Sequence, residues 1–243
     1  PAGDQTVIYD SGPLTLAAGD VFTAVAIAAT GGSSAVRLAA LTNDPTEPVI
    51  PIPDVNARVR AVHASPDAPE VDVLVDGEVV FSNLAFKDAS DYAPVPATDG
   101  PTISVNAAGT PNTVLEASPA LMRGTDYTVM AVNFLADIEP LLLEDDKTPP
   151  QPGNAKVRLV HASPDAPAVD ILVDGEVVAS NLAFTDSTEY LQLSAQPHTV
   201  AIRAAGTETS VLETSVELAE GGIYTAAAVD QLANLDVLVL TDN

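Results

Sequence analysis

The sequence predicts an all-β fold of tandem immunoglobulin-like antiparallel β-sandwiches, and three observations carry that reading. The segment "HASPDAPEVDVLVDGEVVFSNLAF" (63–86) returns as "HASPDAPAVDILVDGEVVASNLAF" (161–184), changed only at Glu70/Ala168, Val73/Ile171 and Phe81/Ala179. Repetition on this scale marks a repeated structural unit. Apolar and polar residues alternate with a period of two in runs such as "AKVRLVHA" (155–162), which is the pattern of half-buried strands. Finally, Asp76-Gly77 and Asp174-Gly175 each sit between two apolar runs. Asp-Gly suits a type I′ hairpin turn, where both central residues need positive φ.

The repeat extends beyond its best-matched part. "VLEASPALMRGTDYTVMAV" (114–132) answers "VLETSVELAEGGIYTAAAV" (211–229), and "LADIEPLLLEDD" (135–146) answers "LANLDVLVLTDN" (232–243). Two full sandwich repeats therefore occupy residues 55–146 and 154–243. Residues 7–44 track the second half of a repeat, with a longer loop at Thr30–Ser34, so 1–46 reads as a partial repeat lacking its front half. Within the last repeat, "TEYLQLSA", "HTVAIRAA", "SVLETSVELA", "IYTAAAV" and "LDVLVL" follow at turn-bounded intervals, as in a sandwich of seven or eight short strands. "DPTEPVIPIPDVN" (44–56) and "DDKTPPQPGNA" (145–155) separate the units. Their prolines predict extended, semi-rigid spacers.

Composition narrows the function classes. The chain has 34 Asp+Glu against 9 Lys+Arg, a net charge of −25, and no Cys or Trp. Such a density of carboxylates is self-repelling at ordinary ionic strength, and the profile resembles proteins of extreme halophiles. Nothing basic is available to displace phosphate counterions, so nucleic acid is disfavoured as a partner. No apolar run is long enough to span a membrane. Without cysteine there is no disulfide framework and no thiolate metal site. The residues "VRLVHASPDAPAVDILVDGEVV…NLAF" resemble domain-of-unknown-function family 4397, over both full repeats and, through their second half, the N-terminal segment. The resemblance implies an extracytoplasmic, secreted or surface β-sandwich module with no established catalytic mechanism.

His63, Ser65 and Asp67, repeated as His161, Ser163 and Asp165, are the ingredients of a hydrolase triad. On an extended strand residues i and i+2 lie roughly 6.6 Å apart, too far for a serine–histidine hydrogen bond. The third histidine, His198, occurs in one repeat only. A structural turn motif explains more: Pro66 and Pro164 preset φ, Asp67 and Asp165 accept backbone N–H bonds, and the histidines bridge buried backbone groups. Glu70, Asp72 and Asp76 make a conceivable carboxylate cluster for Ca²⁺, but Glu70 becomes Ala168 and no calcium-loop spacing appears, so no cofactor is expected. "GTPN" (109–112) and "TGGSS" (30–34) read as hairpin loops. Tyr9, Tyr92, Tyr127, Tyr190 and Tyr224 read as core or strand-edge residues rather than a sugar-stacking platform.

Together these features predict a non-enzymatic extracellular or cell-surface structural protein, self-associating through strand pairing into a filament or surface layer. The alternative is a surface adhesion module for polysaccharide or protein, with its site on loops that differ between copies, such as 87–91 and 185–189. A halophile virus's appendage protein would carry the same sequence features.

Overall fold

A computed structural model describes residues 11–12, 21–28, 36–42, 49–52, 54–97 and 100–243. The loop at 30–34, Tyr9 and most of the expected strands "QTVIYDSG" and "LTLAAG" lie outside the described residues. The N-terminal strands are β1 (Phe22–Ala28), β2 (Val36–Thr42) and β3 (Val49–Ile52). The first full repeat holds β4 (Asn56–His63), β5 (Val71–Val75), β6 (Glu78–Leu84), β7 (Ala93–Pro96), β8 (Ile103–Ala107), β9 (Thr113–Ala117), β10 (Asp126–Val132) and β11 (Glu139–Asp145). The second repeats this order as β12 (Asn154–His161), β13 (Val169–Val173), β14 (Glu176–Leu182), β15 (Leu191–Ser194), β16 (Pro197–Ala204), β17 (Ser210–Glu217), β18 (Ile223–Val229) and β19 (Asp236–Thr241).

Each full repeat is a sandwich of two four-stranded sheets, ordered β11-β10-β4-β7 over β6-β5-β8-β9, and β19-β18-β12-β15 over β14-β13-β16-β17. The all-β tandem sandwich is thus the observed fold. Within the antiparallel frame one pair per repeat is parallel, β4 with β10 and β12 with β18. The chain visits the second sheet twice between those strands and returns running the same way. Alternation in the sequence is identical for either direction, so it could not reveal this. Asp76 and Gly77 take φ of 50° and 86°, and Asp174 and Gly175 take 51° and 86°, which closes the β5–β6 and β13–β14 hairpins through two left-handed residues.

The two repeats do not hang apart as beads. Their β4- and β12-containing sheets pack face to face, burying Val62, Met130, Val132 and Leu143 against Val160, Ala227, Val229 and Leu240. This explains why β12 is buried at every residue from Ala155 to His161. Ala155, Val157 and Leu159 enter the core of their own sandwich, while Val160 enters the shared cluster. Lys156 and Arg158, which alternation places on a solvent face, are only 3% exposed: Arg158 meets Glu144 and Asp145 of the first repeat, and Lys156 meets Asp146 and Thr148 at the link.

The first expected spacer differs from a polyproline extension at residues 49–52, and the second is pinned by side-chain contacts. Residues 49–52 form β3, paired antiparallel with β2, and Pro51 is tolerated because β3 is an edge strand of the three. Residues 146–148 act as a staple: Lys156 Nζ bonds the Asp146 carboxylate at 2.6 Å and the Thr148 carbonyl at 3.0 Å. Lys147 meanwhile pairs with the buried Asp126 of the first repeat.

Candidate functional site

His63 ends β4 and is 1% exposed; His161 ends β12 and is fully buried. His63 Nε2 lies 2.9 Å from the Pro69 carbonyl oxygen and its Nδ1 lies 3.3 Å from the Ser65 amide. His161 repeats this with the Pro167 carbonyl at 3.0 Å and the Ser163 amide at 3.3 Å. A carbonyl can only accept, so Nε2 carries the proton and Nδ1 accepts from the amide, which defines a neutral ring. Burial lowers the His161 pKa, and the Pro167 carbonyl and Asp186 only partly offset it. Phe86 and Phe184 meet the two rings edge-on.

The serines point nowhere useful for catalysis. Ser65 Oγ and Ser163 Oγ are buried with no hydrogen-bond partner among protein groups, and what reaches each imidazole is the serine's amide, not its hydroxyl. Asp67 and Asp165 accept from the Leu135 and Leu232 amides at 2.7 Å each, tying the proline turn to the short 3-10 turns at Leu135–Asp137 and Leu232–Asn234. The histidine and aspartate side chains therefore engage different backbone groups, and the serine hydroxyl engages none. Replacing His161 by alanine is expected to cost about 1–3 kcal/mol by orphaning its buried partners. Ser163→Ala is expected to fall within about 0.5 kcal/mol of the parent or to stabilise, since its hydroxyl is already unpaired. Denaturant melts of both variants check the pair; a large loss at Ser163 would overturn the assignment.

Two of the three carboxylates weighed for calcium, Asp72 and Asp76, accept backbone amides. Asp72 accepts from the Asn83 and Gly109 amides at 2.9 Å each, and Asp170 mirrors it with Asn181 and Gly206. These amides, Gly109 first, hold Asp72 below the usual carboxylate range. Asp76 accepts from the Thr102 amide. Among the described residues no group of three or more His, Asp or Glu is placed to hold a metal, and no helix is long and apolar enough to cross a membrane.

His198, singular to the second repeat, has acceptors on both ring nitrogens: Asp174 Oδ2 at 2.7 Å and the Ser194 carbonyl at 2.8 Å. Two acceptors are both satisfied when each ring nitrogen carries a proton, so it is the imidazolium form that braces the Asp174-Gly175 turn. Burial alone would lower its pKa, but the Ser194 and Asp174 bonds outweigh burial and raise it. A raised folded-state pKa gives stability that is fully present below the unfolded value of about 6.5 and lost as pH rises through the folded value. The melting-temperature gap between the parent and His198→Gln is expected to be widest near pH 5.5 and to close with rising pH. A gap independent of pH would refute the charged ring.

The most elaborate arrangement of side chains lies between the repeats. Arg60 donates to Thr128 Oγ1 at 2.7 Å, and Thr128 Oγ1 donates to Asp145 Oδ2 at 2.8 Å. Asp145 Oδ1 accepts from Arg158 of the second repeat at 2.6 Å. Arg158 bonds Thr225 Oγ1 at 2.7 Å, Thr225 bonds Asp242 at 2.8 Å, and Asp242 accepts from Arg60 at 2.6 Å. The six side chains close a ring in which each repeat lends its arginine to the other's aspartate. Tyr92 and Tyr190 donate to Asp145 and Asp242 at 2.8 Å, and each stacks beneath a guanidinium 4.9 Å from its ring centre. Burial and the neighbouring aspartates raise the pKa of both phenols. Tyr127 and Tyr224 accept the Met122 and Ala219 amides. All four described tyrosines are thus engaged internally.

Of the copy-specific loops, 87–91 reaches across the seam: Lys87 Nζ lies 3.0 Å from Asp236 and 3.5 Å from Asp230. Its counterpart Thr185 has no charge to do so, while Asp88, Asp91, Asp186 and Glu189 are exposed. A cavity of about 230 Å³ opens between β9 and β11, lined by Ile103, Val105, Leu115, Pro119, Val129 and Leu142 among others. Pro119 stands past the end of β9, whereas Val216 lets β17 run on to Glu217. The lining is almost wholly apolar, with none of the convergent donors that orient a polar ligand.

Fold and site together define a tandem β-sandwich module whose recurrent motif bonds backbone groups of its own repeat. The chain belongs to the family described as domain of unknown function DUF4397, whose model matches residues 57–172 and 155–243. No curated protein matches it. It is similar to a solved structure described as alpha-glucan binding by a streptococcal virulence factor, at 11% identity, 74% of this chain, 95% of that one and a TM-score of 0.25. It is also similar to CBMbc, a family CBM26 module of Eubacterium rectale Amy13K solved with maltoheptaose, at 8% identity, 76% of this chain, 97% of that one and a TM-score of 0.24. Likeness at this level carries no residue and no ligand to the present chain.

Proposed function

We propose that the chain is a non-enzymatic module of a secreted or cell-surface protein, which binds a polysaccharide or a protein from a rigid paired-repeat platform. The observation that carries this reading is the exchanged arginine–aspartate ring. It welds two similar sandwiches into one body and holds exposed loops that differ between the copies, such as 87–91 and 185–189. Such a platform suits recognition, since binding residues commonly sit on loops held by a rigid scaffold. The test is retention of the full chain, in molar salt, on columns of immobilised polysaccharides and of cell-envelope proteins. A parent retained on one of them, with retention lost when 185–189 replaces 87–91, is the expected result. Absence of retention on every matrix would overturn the reading.

A self-associating form of the same proposal, in a filament or layer, is favoured by one observation. Ile27 and Leu41, on β1 and β2, are 50% and 44% exposed.

A further inference from the structure

We infer that the sheet β1-β2-β3 is a docking face for a second copy of this chain, which closes as a two-fold dimer through the apolar side carrying Val25, Ile27 and Leu41. This rests on the self-association in the proposed function, takes it as a closed pair in place of a filament or layer, and names its surface and partner.

The inference comes from register. In the first repeat Thr128 stands opposite Leu143 and Met130 opposite Leu141; in the second Thr225 stands opposite Leu240 and Ala227 opposite Leu238. In the N-terminal sheet Thr23 stands opposite Leu41 and Val25 opposite Ala39. Directly opposite residues of an antiparallel pair share one face. Thr23, Val25, Ile27, Ala39 and Leu41 therefore occupy the positions whose counterparts bury the repeat–repeat seam. The faces of both full repeats already cover each other. On the third face of the same kind Ala39 is buried, but Ile27 and Leu41 are 50% and 44% exposed, which leaves these two to pair with their own likeness in another molecule.

Charge supports that occupant. The three N-terminal strands contain no acidic residue in a chain with 34 of them, so this is where two molecules of net charge −25 can approach with least repulsion. Asn43 follows β2 where Asp145 and Asp242 follow or end the matching strands. Two such faces can meet without burying a carboxylate that lacks its arginine, and the one charged residue of the face, Arg37 opposite Ile27, stands near the end of the β1–β2 pair, at the rim of the contact. An isologous contact uses the same patch on both molecules and stops at two, whereas head-to-tail strand addition at the β1 edge would grow without limit.

Sedimentation velocity of the full chain in molar salt, over about 1 to 100 μM, tests this. The parent is expected to sediment as a dimer at the upper concentrations. Ile27→Asp and Leu41→Asp, each at an exposed position, are expected to weaken dimerisation at least tenfold with an unchanged circular dichroism spectrum. Val79→Asp, at a 58% exposed position on the first repeat's other sheet, is expected to leave it intact. A parent that stays monomeric, a dimer that survives both substitutions, or species that grow past two would each overturn the inference. Retention on a polysaccharide or protein column reads the binding proposal separately, so the two can fail independently.

Discussion

Asp145→Ala is expected to destabilise both repeats together, by about 3–5 kcal/mol, the range for removing one partner of a buried ion pair. The loss has a specific cause. Arg158 is 3% exposed and Arg60 is 4% exposed, so neither guanidinium can turn to water when its carboxylate goes. Arg158 would keep Thr225 and the Glu144 carbonyl, which supply dipoles but no countercharge. Tyr92 and Thr128 would lose their acceptor at the same time. Replacing all four charged members, with Met at 60 and 158 and Leu at 145 and 242, is expected to recover most of the loss, because desolvating the ions costs about what their attraction returns. Calorimetry of the single and quadruple variants separates the cases. A single variant that melts within about 1 kcal/mol of the parent would show that the ring is not closed in solution.

The second large effect is ionic. At −25 over 243 residues, the folded chain concentrates like charges that the unfolded chain spreads out. Screening length falls from about 10 Å at 0.1 M salt to about 3 Å at 1 M, so molar salt is expected to be needed for full stability. Dialysis to about 50 mM salt is expected to abolish the β-sheet circular dichroism or to lower the melting temperature by tens of degrees. A spectrum and melting curve indifferent to salt would refute it. The buried ring is shielded from solvent ions, so the parent and the Asp145→Ala variant are expected to respond to salt with similar slopes.

The strands, the Asp-Gly hairpins and the duplicated sandwich were legible because they are local: alternation, turn chemistry and near-identity each fit within a few residues. The ring was not. Arg60 and Arg158 alternate with valine, alanine and leucine on their strands, a pattern that means an outward polar face whenever one side of the sheet is wet. Nothing within a repeat says that the outward face of one copy is the floor of the other. Two signals in the sequence were informative in retrospect. Arginine is scarce in this chain, yet one recurs at the same strand position in both copies, and each copy has an aspartate at or just past the end of its last strand, after Glu144 or Thr241. The anchoring of the second proline-rich link was hidden for a related reason. Proline stiffens a link but does not set its direction, and the contacts of Asp146 and Thr148 with Lys156 join residues that no local pattern connects.

The ring of borrowed arginines also gives these modules a parity. A sandwich of this kind is incomplete alone, since its arginine and its aspartate each answer to another copy, and two satisfy one another with nothing left over. An array assembled from such units counts in twos. Adding or deleting one repeat changes whether a face is left bare, while adding or deleting a pair does not, so gain and loss of repeats in this architecture is expected to proceed by even steps.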